Sequence, residues 1–195
     1  MKKIILRFFI VFVLIITICI ILFYSYKTHT LNKLNQQNVK IDSIWNSIYA
    51  ESENRLKLLD KLSITDCASN KISDEITNNI SKRNLTEIDS LWELEYKTNK
   101  EFFLIEDCLN KHISNKIMLG SLKFNAYKLN KIVEAYNTKV LDFNKYYTFF
   151  PNSIIAKKVG LKRKKFFYMK YGENNDDYYN QKLKTKKWVE TGKWD

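Results

Sequence analysis

Glycine and proline are nearly absent: the 195 residues include four Gly and one Pro. A β-sandwich, a β-barrel or a doubly wound α/β fold needs more turn residues than that, so the composition excludes all three. Cysteine is scarce too, with three residues and no C-x-x-C pair, which removes disulfide scaffolds, zinc ribbons and thioredoxin-like chemistry. Two histidines leave little room for imidazole acid–base work. No G-x-S-x-G, H-E-x-x-H, phosphate loop or dinucleotide fingerprint occurs. What is plentiful is apolar and basic. Apolar residues make up 45% and aromatics 14%, enough for a core, and 33 Lys+Arg against 21 Asp+Glu give a net charge of +12. Part of that charge reflects the Asn-, Lys- and Ile-rich usage of an AT-rich genome. The composition indicates an all-α chain with few, long helices, one domain in size.

The longest uncharged run lies at the N-terminus. Residues 1–7 carry Lys2, Lys3 and Arg7, and residues 8–26 follow with no charge at all. Nineteen helical residues at ~1.5 Å each span roughly the ~30 Å hydrocarbon core of a bilayer. Tyr24 and Tyr26 close the run where an interfacial aromatic belt sits, and Lys27 ends it. A cleaved signal needs a shorter apolar stretch and small residues before the cut; the exit here reads Phe23-Tyr24-Ser25-Tyr26. The run therefore predicts a single-pass signal anchor. The denser positive charge before it predicts a cytoplasmic N-terminus and a C-terminal domain outside the cytoplasm, periplasmic or extracellular.

Beyond the run, apolar positions recur at three- and four-residue steps. Ile41, Ile44, Trp45, Ile48, Leu56, Leu59 and Leu62 mark one helix; Ile88, Leu91, Trp92, Phe102, Ile105 and Leu109 mark another. Thr86 is placed to cap the second, and residues 72–81 suggest a short amphipathic piece between them. The most regular stripe is Met118, Leu122, Ala126, Leu129, Val133, Tyr136, Val140, Phe143, Tyr147 and Phe150, opened by Ser114 or Asn115 and stopped by Pro151. One or two further turns end at Gly160. The expected fold is an antiparallel bundle of about three long helices plus short helical pieces over residues 27–160. Residues 161–195 form a basic and aromatic C-terminal tail.

The segment from Tyr136 carries a family resemblance. Tyr136-Asn137, Val140 and Phe143-Asn144, then Phe150-Pro151, Ile154-Ile155-Ala156 and Gly160, resemble the LemA signature Y-N-x-x-V-x-x-Y-N followed by F-P-x-x-[IL]-[IVL]-A and a glycine. Ile41, Trp45, Ile48, Arg55, Leu58, Leu59 and Leu62 are similar to that family's upstream V-x-x-x-W and R-R-x-D-L-I-P-x-L segment. Asn54, Lys57, Asp60 and Ile132-Val133 depart from it, as in a divergent member. The resemblance implies a membrane anchor with a helical bundle, and a non-enzymatic envelope protein that docks or organises another protein or self-associates.

The candidate residues each admit two readings. Asn137 and Asn144, beside the Tyr136/Phe143 stripe, are either a recognition pair or buried amides that fix helix register, holding the third helix against the first near Trp45 and Arg55. Arg55 itself reads as a partly buried cation paired with a carboxylate or with those amides. Cys108 and His112, with Asp107, have i, i+4 spacing but no second histidine nearby, so no metal and no cofactor is expected. Cys67 and Cys108 could bridge in an exported domain. Carboxylates such as Glu93/Glu95 or Asp176/Asp177 are the acid–base groups left to a hydrolase, and they have surface contexts. In the tail, Lys162, Arg163, Lys164, Lys165 and Phe166 interleave cations with aromatics, and Lys182–Lys187 adds more charge before Trp188. Such a pattern suits anionic lipid or an envelope polymer, with nucleic acid not expected outside the cytoplasm. The competing reading is a solvated tail with Phe166 and Phe167 packed on the bundle.

Overall fold

The computed structural model describes residues 2–63, 88–111 and 116–191, together with 74, 78 and 81. Among them there is no strand. Five helices follow in order: α1 (Lys2–Ser63), α2 (Ile88–Lys111), α3 (Lys116–Thr148), α4 (Asn152–Lys158) and α5 (Asp176–Thr191). The short piece expected over 72–81, Thr86, Ser114 and Asn115 fall wholly or mostly outside the described residues.

α1 is 62 residues long. It contains neither Gly nor Pro, so nothing interrupts its hydrogen-bond ladder between the apolar run and the amphipathic stripe. The run expected to span a bilayer and the first bundle helix are one element. From residue 8 to residue 24 every side chain is exposed, and the helix is long and apolar enough to cross a membrane.

The chain forms two compact units. Unit 1 comprises Met1–Asp42 and Lys139–Lys164, and unit 2 comprises Ser43–Thr138 and Lys165–Asp195. Charge is divided unevenly between them: unit 1 holds thirteen Lys+Arg and two acids, Asp42 and Asp142, whereas unit 2 holds twenty and nineteen.

In unit 2 the core draws on the expected stripes, with Leu119 added to them. Leu59, Phe102, Leu109, Leu119 and Leu122 form one cluster, with Leu58 and Met118 packed against it. Trp45 packs against Tyr136 (centroids 5.5 Å) and edge-on to Phe167 (5.3 Å). α3 runs antiparallel to α1: Glu51 meets Asn125 and Arg55 meets Leu122 as the two chains pass in opposite directions. α2 runs the same way as α1, since Ser52 bonds Glu95 and Arg55 bonds Asn99. Strict alternation is not required here, because twenty-four residues separate Ser63 from Ile88, enough chain to return to the starting end.

In unit 1, Leu34, Ile41, Val140, Phe143, Tyr147, Ile155 and Ala156 are buried. From Leu122 to Tyr147 the α3 stripe is buried as its spacing indicates, but Met118 is half-buried and Phe150 is 81% exposed. The regular count places Phe150 on the stripe; the helix ends at Thr148, two residues earlier, and the Phe150–Pro151 bond is cis. Ile154 and Ile155 then donate to the Pro151 carbonyl as α4 begins. Gly160, at φ +75°, ends α4 in a conformation that side chains resist.

Candidate functional site

Residues 161–170 belong to neither helix nor strand, and the α3 asparagines hold the chain here. A side-chain amide carries a donor and an acceptor side by side, so it can pair with the N–H and C=O of one residue. In unit 2, Asn137 donates to the Phe167 carbonyl and accepts from its N–H, both at 2.9 Å. Asn130 does the same to Tyr171, at 2.9 and 2.8 Å. Asn175 pairs in this way with Lys170, at 2.8 and 3.0 Å. The Tyr136 hydroxyl adds a bond to the Lys165 carbonyl (3.0 Å), and Trp92 Nε1 one to Tyr168 (2.7 Å). In unit 1, Asn144 pairs with Lys164, both bonds at 2.9 Å, and the Tyr147 hydroxyl donates to Leu161. Seven helical residues rise ~10.5 Å and four extended ones ~13 Å, so Asn130 and Asn137 meet a strand-like segment at comparable intervals.

This corrects the expected role of the amides. Asn137 and Asn144 fix register, but that of the segment after Gly160 rather than of α3 against α1. Tyr136 also touches Trp45. Asn130 belongs to the same set and was missed, although Leu129-Asn130 repeats the Tyr136-Asn137 and Phe143-Asn144 dyads at seven-residue intervals.

Arg55 is 1% exposed, more deeply buried than the sequence suggests. Its guanidinium reaches the Leu122 carbonyl and Asn99 Oδ1 at 3.4 Å each and lies over the rings of Phe102 (5.3 Å) and Tyr171 (5.6 Å). Burial lowers its pKa, and the field of the buried Glu95 opposes that. Glu95 accepts a hydrogen bond from Ser52. Asn99 extends the network by accepting from Gly172 N–H (3.1 Å) and donating to the Glu173 carbonyl (2.8 Å). Gly172 stands at φ +76°.

An aromatic plate lies beside it. Tyr96 and Tyr179 stack at 4.1 Å, Trp92 stacks on both at 5.7 Å, and Lys182 sits 4.2 Å above the indole. Tyr96 donates to Asp176, whose pKa falls for that reason first, while burial raises that of Tyr96. Burial also pushes Tyr178 up to about 12, with Tyr168 and Asp89 acting in the same direction. A groove of about 530 Å³ runs between the α3 face bearing Asn130 and Asn137 and the residues Tyr168 and Tyr178.

The remaining candidates are placed as follows. Val140 is fully buried. Lys162 and Arg163 are exposed, whereas Lys164 is engaged with Asp42 (2.8 Å) and Lys165 with Asp89 (2.5 Å). Phe166 stacks on Tyr168 at 5.3 Å, and Phe167 is buried. Glu93 forms an exposed pair with Lys97. Cys108 is disulfide-bonded; Cys67 and His112 lie outside the described residues. No cluster of three or more metal-ligating side chains occurs among the described residues. Asn152, buried and not anticipated, accepts from the Tyr26 hydroxyl at 2.6 Å and from Thr30 at 3.4 Å, and donates to the Tyr146 carbonyl at 3.0 Å. No family model, curated protein or solved structure matches the chain.

Proposed function

We propose that this chain is a single-pass, non-enzymatic membrane protein of the cell envelope, a divergent LemA-like module whose helical part docks or organises another envelope protein. The observation that carries this reading is the continuity of α1 from the apolar run into the bundle core, with no linker between anchor and module. Side chains that a catalyst would need free are otherwise committed: Arg55, Glu95 and Ser52 bond one another or their neighbours, and Asp176 bonds Tyr96. The docking surface is the outer face of α3 in unit 2, where Ile117, Phe124 and Tyr127 are 84%, 60% and 60% exposed around Gly120 and Ser121. Large apolar side chains beside small residues on one exposed helix face suit a partner helix.

The N-terminus lies in the cytoplasm and the bundle outside it, by the charge rule. A reporter fused after Asp195 should then be active only in the exoplasmic compartment. A photo-crosslinker at Phe124 in intact cells should capture an envelope protein or a second copy, and one at the exposed Lys139 should not. Equal labelling at both positions would sink the docking surface. The alternative reading, an anionic-surface binder working through the tail, has less support, because Lys164 and Lys165 are already held by Asp42 and Asp89.

A further inference from the structure

Among the described residues, the most exposed aromatic pair outside the apolar run is Phe149 (67%) and Phe150 (81%), in the turn between α3 and α4. Ile154 (48%) follows on α4 and Val159 (50%) caps its end, with Lys157 and Lys158 exposed between them. Burial in the protein does not explain this turn, yet its position is fixed. Lys33 sits 4.2 Å over the Tyr146 ring, and six residues later Asn152 is bonded by Thr30 and Tyr26. As the chain passes from α3 into α4, its contacts on α1 therefore retreat from residue 33 to residue 26, the last of the apolar run. Phe149 and Phe150 lie within three residues of Asn152, so they stand within roughly 10 Å of the residue that the last side chain of that run bonds.

Charge points the same way. Past the apolar run, unit 1 contains ten Lys and Arg but only Asp42 and Asp142 as acids. Exposed aromatic and aliphatic side chains flanked by lysines, at the level where a spanning helix leaves the hydrocarbon, match the chemistry of an anionic bilayer interface.

We propose that the α3–α4 turn is a second membrane contact: Phe149, Phe150 and Ile154 enter the headgroup–acyl boundary beside α1, and Lys157 and Lys158 meet anionic headgroups. The inference rests on the reading of residues 8–26 as a membrane span. It differs from a tail-borne anionic site, since the contact lies before Gly160. The occupant is the bilayer around the protein's own anchor, and the turn fixes the height of unit 1 above it.

Full-length protein with Cys19→Ser, which removes the free thiol, is reconstituted in vesicles of phosphatidylcholine with or without phosphatidylglycerol. A polarity-sensitive fluorophore is attached at Phe150→Cys, with Ile16→Cys reporting the span and Lys139→Cys, exposed and away from the docking face, reporting solvent. The label at 150 should be quenched by a nitroxide placed shallow in the lipid chains and shielded several-fold from aqueous iodide relative to 139. Shielding should deepen with phosphatidylglycerol, and Lys157→Gln with Lys158→Gln should abolish that dependence. A label at 150 as iodide-accessible as 139, while the label at 16 stays in lipid, overturns the second contact and leaves the anchor standing. An iodide-accessible label at 16 overturns both. If the phosphatidylglycerol dependence persists in the double variant, the two lysines are not the headgroup contacts.

Discussion

The Asn137 amide and the backbone of Phe167 form a closed pair, each giving the other one hydrogen bond at 2.9 Å. The bonds recognise a peptide unit, whatever side chain it carries. The Phe167 ring, fully buried against Trp45, supplies the apolar half of the same contact.

Replacing Asn137 with Leu should therefore leave the Phe167 N–H and C=O without partners at a mostly dry contact. A buried polar group that loses its bond costs ~1–3 kcal/mol. Asn137→Leu and Asn137→Ala should both lower the melting temperature, and trypsin should cut more readily at Lys162–Lys165. Unchanged melting together with lost partner capture would mean that the amide recognises a partner instead.

The Arg55–Glu95 centre predicts a strong asymmetry between single and paired substitutions. Arg55→Met strands a buried carboxylate and should cost ~3–5 kcal/mol, while Arg55→Met with Glu95→Gln should recover much of that loss. Denaturant midpoints of the two single variants and the pair form the cycle that checks it. Additive losses would show that the two groups do not sense each other.

At the acidic end, the hydrogen bond from Lys165 holds the Asp89 carboxyl below its ordinary value, with Lys182 adding to it. A depressed native pKa means that the unfolded chain binds the proton first. The stabilisation is thus present above the unfolded value near 3.8 and disappears as pH falls through the native one. Asp89 is largely exposed, so screening keeps the effect to ~1 kcal/mol or less. Asp89→Asn should flatten the acid limb of the melting curve slightly, and added salt should flatten it in the parent.

At the alkaline end the sign reverses. Tyr178 titrates at about 12 in the folded protein, above its ordinary 10.0. Its contribution is full below 10.0 and is lost as pH rises through about 12. The difference in tyrosinate absorbance between the parent and Tyr178→Phe should show a component centred near that value. A component at the ordinary phenol value would mean that the ring is solvated.

Deleting residues 1–24 spares the Tyr26–Asn152 bond and should release a predominantly helical, soluble fragment, while the full chain stays with membranes. Full-length protein found in the soluble fraction would remove the anchor.

The helices were legible because burial repeats at the helical period: Leu122, Ala126, Leu129, Val133, Tyr136, Val140, Phe143 and Tyr147 can be counted in the sequence and all are buried. Phe150 fits the count and fails, because the period carries no information about where α3 stops. The clamp on residues 161–170 was not legible for a different reason. Amide-to-backbone bonds require asparagine on one side only, so Lys164, Phe167 and Tyr171 bear no matching mark. The buried charge of Arg55 was half legible: its stripe position was visible, whereas Glu95 and Asn99 lie forty or more residues away in sequence.

The uneven charge of the two units has a kinetic consequence. Unit 2, with twenty cations and nineteen acids, exerts almost no long-range pull, so the partner proposed for Phe124 and Tyr127 would find its site by unassisted diffusion. Its on-rate should be ordinary and nearly indifferent to ionic strength. Unit 1, eleven positive charges in excess, does the opposite: ions that screen it would weaken the proposed hold on an anionic leaflet while leaving the proposed encounter with a partner untouched.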